Sequence, residues 1–205
     1  MTVIYRDGLT LPVFVSIFFK EQPPVFIAEI LYFRLHKIKI MDFKLRPWSV
    51  DDLDSLVKYA NNQNIAQFMS DVFPHPYTKE HGKTFIEFAG KDHPVHIFAI
   101  EVNGEAVGGI GIHPQQDIQR KNAELGYWLA EPFWGKGIIT KAIREIIDFA
   151  FAKYDINRVF ARPFGTNIAS QKVLEKAGFI LEGTFKNALI KNGVLQDELV
   201  YAVRR

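Results

Sequence analysis

There is no cysteine among the 205 residues. That excludes disulfides, thiolate metal ligands and a cysteine nucleophile, and it fits a reducing, cytoplasmic location. A long hydrophobic run is missing too. The two most apolar stretches, residues 11–19 and 25–33, fall short of the about 18–20 residues that a membrane-spanning helix needs. The six histidines show no metal-ligand spacing, so no metal is expected. No G-x-x-x-x-G-K-[ST] loop and no G-x-G-x-x-G fingerprint in a βαβ setting is present, which sets aside Walker-type and Rossmann-type nucleotide sites. A charge excess is also lacking in the body of the chain. Of 25 Lys/Arg and 23 Asp/Glu, residues 41–205 hold twenty of each, so bulk attraction to nucleic acid has no basis.

Residues 1–40 differ in texture from the rest. Apolar stretches alternate with Lys20-Glu21 and Pro23-Pro24, and neither a helical nor a strand period emerges. Arg6 before an apolar stretch resembles a signal peptide, but Asp7 and the absence of a small-x-small cleavage site argue against one. Met41-Asp42-Phe43 reads as the natural start of a domain. The expected organisation is a hydrophobic extension over 1–40, outside a product that starts at Met41, and one domain over 41–205. A hydrophobic arm covering a sheet edge or a partner is the rival reading of 1–40.

From residue 43 the pattern alternates between strands and helices. A short strand over 43–46 is followed by Ser49 as a helix cap, with Val50, Leu53, Val57 and Ala60 on one face. Thr78 caps a second helix to about residue 89, with Phe85 and Phe88 inward. Strands over 95–101 and 106–113 flank Asn103-Gly104, a strong hairpin signal. Gly108, Gly109 and Gly111 mark a bulge or a close backbone approach. A strand over 122–129 precedes an amphipathic helix over 138–152 whose inward stripe starts at Ile139. Another strand, a helix capped by Asn167 and stopped by Gly178, and two strands joined at Asn192-Gly193 complete the chain. The order β-α-α-β-β-β-α-β-α-β-β is that of an α+β fold: a mixed, mostly antiparallel sheet flanked by helices.

The turn Gly135-Lys136-Gly137 opens the long helix. A glycine turn there leaves backbone N–H groups unpaired at the positive end of the helix dipole, which is an anion site suited to phosphate.

Several motifs in order carry a resemblance. They are Ala123-Glu124-Leu125-Gly126-Tyr127-Trp128-Leu129, Trp134-Gly135-Lys136-Gly137-Ile138, Asn167-Ile168-Ala169-Ser170, and Val173-Leu174-Glu175-Lys176-Ala177-Gly178-Phe179. With Lys191-Asn192-Gly193 and residues 197–201, the region 41–205 resembles the GNAT superfamily of acyl-CoA N-acyltransferases, in particular its RimJ/RimL branch of ribosomal-protein N-terminal acetyltransferases. The pyrophosphate motif of that superfamily, Q/R-x-x-G-x-G/A, has Trp134 at its first position here and Ile139 at its last.

The resemblance implies a sheet that splays after its fourth strand and holds acetyl-CoA as co-substrate. The pantetheine arm is expected along Trp128, Leu129 and Ala130. The pyrophosphate is expected on Gly135, Lys136, Gly137, Ile138, Ile139 and Thr140, with Asn167 contacting the arm as well as capping its helix. Lys136 reads equally well as a solvated lysine. Glu124 is the expected base, acting through a water, or else a rim carboxylate that only binds the incoming ammonium. A backbone N–H near Leu129 is the expected oxyanion donor. Ser170 is expected to protonate or orient the departing sulfur, although serine is also common on the first turn of a capped helix. His113 is an alternative base, since an ordinary imidazole titrates near neutrality. Phe73, His75, Tyr77 and Trp128 are expected to line the acceptor pocket.

The implied activity is transfer of acetyl from acetyl-CoA to a primary amine on a protein N-terminus or a small molecule. The alternative is a non-catalytic acyl-CoA-binding module on the same fold. A homodimer fits either reading.

Overall fold

The computed structural model describes residues 41–205; the extension over 1–40 lies outside the described residues. Strand β1 (Lys44–Pro47) leads into a 3-10 turn and helix α1 (Leu53–Ala60), then a short helix α2 (Gln63–Ala66) and helix α3 (Lys79–Ala89). Strands β2 (Ile97–Val102), β3 (Glu105–Pro114) and β4 (Asn122–Leu129) follow. Helix α4 (Ile138–Lys153), strand β5 (Arg158–Ala161), helix α5 (Ile168–Ala177) and strands β6 (Ile180–Lys191) and β7 (Val194–Arg204) complete it. Apart from α2, this is the expected order.

The strands form one seven-stranded sheet in the order β1-β2-β3-β4-β5-β7-β6, antiparallel except where β4 meets β5. Both Asn-Gly turns take left-handed φ, 51° and 86° at Asn103 and Gly104 and 51° and 77° at Asn192 and Gly193. Two successive positive φ values give the turn whose twist matches a tight hairpin. Both expectations for the β3 glycines hold: the β2–β3 register slips between Ile100 and Glu101, and a Cβ on Gly108 would stand 2.6 Å from the Trp128 carbonyl oxygen.

Each sheet face has its own core. On one face α4 and α5 cover Ile110, Ile112, Leu125 and Leu129, and α4 contributes Ile138, Ala142, Ile143, Ile146, Ile147 and Ala150. The buried stripe therefore begins at Ile138, and Ile139 packs only partly against this core. On the other face α1 and α3 cover Ala99, Trp48, Tyr77 and Trp128.

Two side chains lie elsewhere than expected. Val50 is exposed because Ser49 caps the 3-10 turn rather than α1, which begins only at Leu53. Phe88 is exposed, and Gly82, Ile86 and Ala89 form the buried stripe of α3. The reason is steric: a Cβ on Gly82 would meet Leu53 Cδ1 at 2.7 Å, so α3 approaches α1 closest at that glycine and turns Phe88 outward.

Candidate active site

Strand β4 is paired with β3 along its whole length but with β5 only from Asn122 to Glu124. From Leu125 onward its other edge faces a gap. The Ala130 N–H donates to the Val107 carbonyl on the β3 side (2.8 Å). Strand alternation then turns the N–H and C=O of Leu129, and of Tyr127 before it, into the gap. The Leu129 carbonyl accepts from the Trp134 indole N–H (2.6 Å), which ties the following turn to the end of the strand. Pro132 stands in the 3-10 turn Glu131–Phe133 that ends β4.

That turn delivers the chain to Gly135 and Gly137, both left-handed at φ 72° and 76°. Gly137 is the N-cap of α4, and no side chain caps it. The first N–H groups of a sixteen-residue helix, at Ile138, Ile139 and Thr140, therefore have no intrahelical partner. Ile139 packs partly against the core beneath α4. The Lys136 ammonium sits 5.3 Å from the centre of the Phe133 ring, a cation–π contact.

Across the gap, Asn167 caps α5 by accepting from the Ser170 N–H (3.1 Å). The Ser170 hydroxyl is 2.7 Å from the Tyr127 hydroxyl. Burial pushes the Tyr127 phenol up to about 12, a shift that the Ser170 hydrogen bond partly offsets. At its far end, α5 terminates on left-handed Gly178, and Phe179 seals the stop with an N–H to the Leu174 carbonyl.

Glu124 lies on the opposite sheet face from Tyr127. Both its oxygens accept from Arg162, at 2.9 and 3.1 Å, and Arg162 also lies 3.7 Å from Glu198. These hydrogen bonds hold the Arg162 guanidinium above its ordinary value. His113 is the cross-strand partner of Glu124. Its Nε2 is 3.2 Å from a Cβ position on Gly111 and 3.8 Å from one on Gly126, so two glycines make room for the imidazole. Burial lowers its pKa first, His96 lowers it further, and Glu124 opposes both. The same device accommodates Trp128, which passes 2.8 Å from a Cβ position on Gly109. Trp128, Phe73 and Tyr77 make an aromatic cluster, with ring centres 5.9 Å apart for Phe73–Trp128 and 5.1 Å for Phe73–Tyr77. His75 stands exposed on the same loop.

The family described as Acetyltransferase (GNAT) domain matches residues 42–180. The chain belongs to the GNAT family. Among curated relatives, this GNAT chain is 40% identical over 101 residues to YdaF of Bacillus subtilis (strain 168), covering 49% of this chain and 55% of YdaF. It is 33% identical over 106 residues to the ribosomal-protein-serine acetyltransferase of Escherichia coli (strain K12), covering 52% of this chain and 59% of that one. The matched stretches thus span little more than half of these relatives. A solved structure of the microcin C7 self-immunity acetyltransferase MccE, in complex with acetyl-CoA and AMP, superposes with a TM-score of 0.70 at 26% identity. It covers 82% of this chain and 95% of that one.

The GNAT fold thus brings one group of the expected residues to the gap: Leu129, the turn 135–137, the start of α4, Asn167 and Ser170. Ala130 is not among them, because its N–H donates to the Val107 carbonyl and its own carbonyl accepts from the Phe133 N–H. A second group, Glu124, His113, Trp128, Phe73 and Tyr77, lies on the other sheet face. Sequence reasoning missed Arg162 and Glu198, whose proximity to Glu124 depends on the β4–β5–β7 register. It also missed the indole bond of Trp134. Among the described residues, no group of three or more His, Asp or Glu is placed to hold a metal, and no helix is long and apolar enough to cross a membrane.

Proposed function

We propose that this protein is an acetyl-CoA-dependent N-acetyltransferase acting on a primary amine. One observation carries the reading: the gap beside β4 leads from an unpaired Leu129 N–H to the uncapped start of α4. A co-substrate with an amide-bearing arm and a pyrophosphate fits that sequence of donors. The arm would run along the open edge of β4 beside Leu129. The phosphates would lie on the N–H groups of Gly137, Ile138, Ile139 and Thr140, with Lys136 near. Bound there, acetyl-CoA supplies an activated thioester.

The residues of the chain then have distinct tasks. The Leu129 N–H stabilises charge as it develops on the carbonyl oxygen. Glu124, through a water, draws the proton from the acceptor ammonium. Its pairing with Arg162 leaves a second lone pair on each oxygen for this purpose. His113, kept neutral near pH 7 by its lowered pKa, stands opposite as the second possible proton acceptor. Ser170 supports the departing sulfur. Phe73, Tyr77 and Trp128 form an apolar floor for the acceptor, and His75 lies at its rim. The acceptor is an amine on a small molecule or a protein N-terminus. Glu124 and Glu198 against one Arg162 leave one net negative charge, which favours a cationic acceptor.

The engagement of both Glu124 oxygens also favours a rival reading, an acyl-CoA-binding module without turnover. Thiol release from acetyl-CoA in the presence of a panel of amines and N-terminal peptides separates the two. Amine-dependent release supports the transferase. Binding of acetyl-CoA with no release for any acceptor supports the module.

A further inference from the structure

Tyr127 joins two elements that flank the gap. It extends from β4 beyond the last β4–β5 pair, and its hydroxyl meets Ser170 on the first turn of α5, so the two residues bridge the gap. The direction of the bond follows from chemistry. The 2.7 Å contact admits either hydroxyl as donor, and the greater acidity of a phenol favours Tyr127 as donor and Ser170 Oγ as acceptor. The Ser170 carbonyl, at 3.5 Å from the same hydroxyl, competes for the single phenol proton but is the more distant of the two acceptors. With a lone pair of Ser170 Oγ engaged by Tyr127, and the Ser170 N–H held by Asn167, the serine O–H is left to point elsewhere. Without Tyr127 the hydroxyl is free to rotate, and the usual resting place for a helical serine is a carbonyl of the preceding turn.

We propose that Tyr127 is a positioning residue that fixes the Ser170 hydroxyl as a hydrogen-bond donor toward the sulfur in the gap. The inference rests on the acetyl-CoA reading above. No net proton leaves the pair. When the carbon–sulfur bond breaks and its electron pair passes to sulfur, Ser170 donates a hydrogen bond to the thiolate, and Tyr127 donates one to Ser170. A thiolate accepts far more strongly than a thioester sulfur, so the effect is selective for free CoA and for the late transition state.

The test uses the full chain and its Tyr127→Phe, Ser170→Ala and double variants, with thermal melts to confirm folding. Calorimetric affinities for free CoA and for acetyl-CoA are measured at about pH 7 and about pH 9, since more of the CoA thiol is ionised at the higher pH. The expected result is that Tyr127→Phe weakens free CoA about fivefold to tenfold relative to acetyl-CoA, the size of one hydrogen bond. It also lowers kcat about tenfold with little change in the KM for acetyl-CoA. Ser170→Ala lowers kcat about 10²-fold. The double variant is no worse than Ser170→Ala alone, because Tyr127 acts only through the serine. An unchanged CoA to acetyl-CoA ratio with unchanged kcat in Tyr127→Phe overturns the proposal while leaving the acetyl-CoA reading intact. Additive losses in the double variant overturn it as well. Failure of the wild-type chain to bind either ligand removes the acetyl-CoA reading itself, and this inference falls with it.

Discussion

Glu124 gives both oxygens to Arg162 and still faces His113 across the strand pair. Replacing Glu124 by Gln keeps the shape and removes the charge. The expected outcome is a kcat lowered about 10²-fold, the low end of general-base contributions, with the KM for acetyl-CoA changed far less. Steady-state kinetics checks this, and an unchanged kcat removes Glu124 from the chemistry. His113 carries a pH prediction. Its folded pKa is depressed, so above the unfolded value of about 6.5 both states are neutral and the fold keeps its full stability. As pH falls below that value, the unfolded chain takes up a proton that the folded chain resists, and stability drops down to the folded pKa. Urea unfolding between pH 8 and 5 should show this loss, and His113→Gln should make the slope shallower. At the alkaline end the sign reverses. Tyr127 stays protonated to about 12 in the fold, so stability declines as pH rises above about 10, where the unfolded phenol ionises. None of the contacts at Glu124 was legible from residues 120–130 alone. A pair 38 positions apart becomes visible only with the parallel β4–β5 register in hand.

At the scale of elements, helix ends were the most legible feature. Thr78 and Asn167 cap as expected, and Ser49 caps the 3-10 turn just ahead of α1, since a short polar side chain before a periodic apolar run has a local reason to be there. Strand β4 and helix α5 were placed at their observed limits. Rotation of a helix about its own axis was less legible. Phe85 packs inward against Trp48 as its spacing suggested, but the approach to α1 at Gly82 turns Phe88 outward, and that contact is tertiary. The two glycine-ended helices offer a matched experiment. Gly135 at φ 72° and Gly178 at φ 99° both have open space around a would-be Cβ. An alanine at either position meets only the left-handed backbone penalty, about 1–2 kcal/mol. Thermal or urea unfolding should show similar losses for Gly135→Ala and Gly178→Ala. Only Gly135→Ala should also weaken acetyl-CoA binding, because it alone shapes the turn before α4. Equal affinity in the two variants contradicts that assignment.

At the scale of the whole molecule, the site exists because a seven-stranded sheet is incompletely closed in the middle. β4 and β5 run parallel for three pairs and then part, and the two helices that follow these strands, α4 and α5, start beside the opening. Local pattern supplied the strands and helices, but pairing order and splay are properties of the assembled sheet. They entered the sequence reading through the resemblance alone. The account turns on one claim, that the Leu129 N–H and the start of α4 act together on one ligand. Backbone amide NMR of the full chain titrated with acetyl-CoA tests it most directly. The account predicts that the largest shifts fall on Leu129 and on Gly137 through Thr140 and saturate together along one binding curve. Shifts confined to other residues, or none at millimolar ligand, would contradict it.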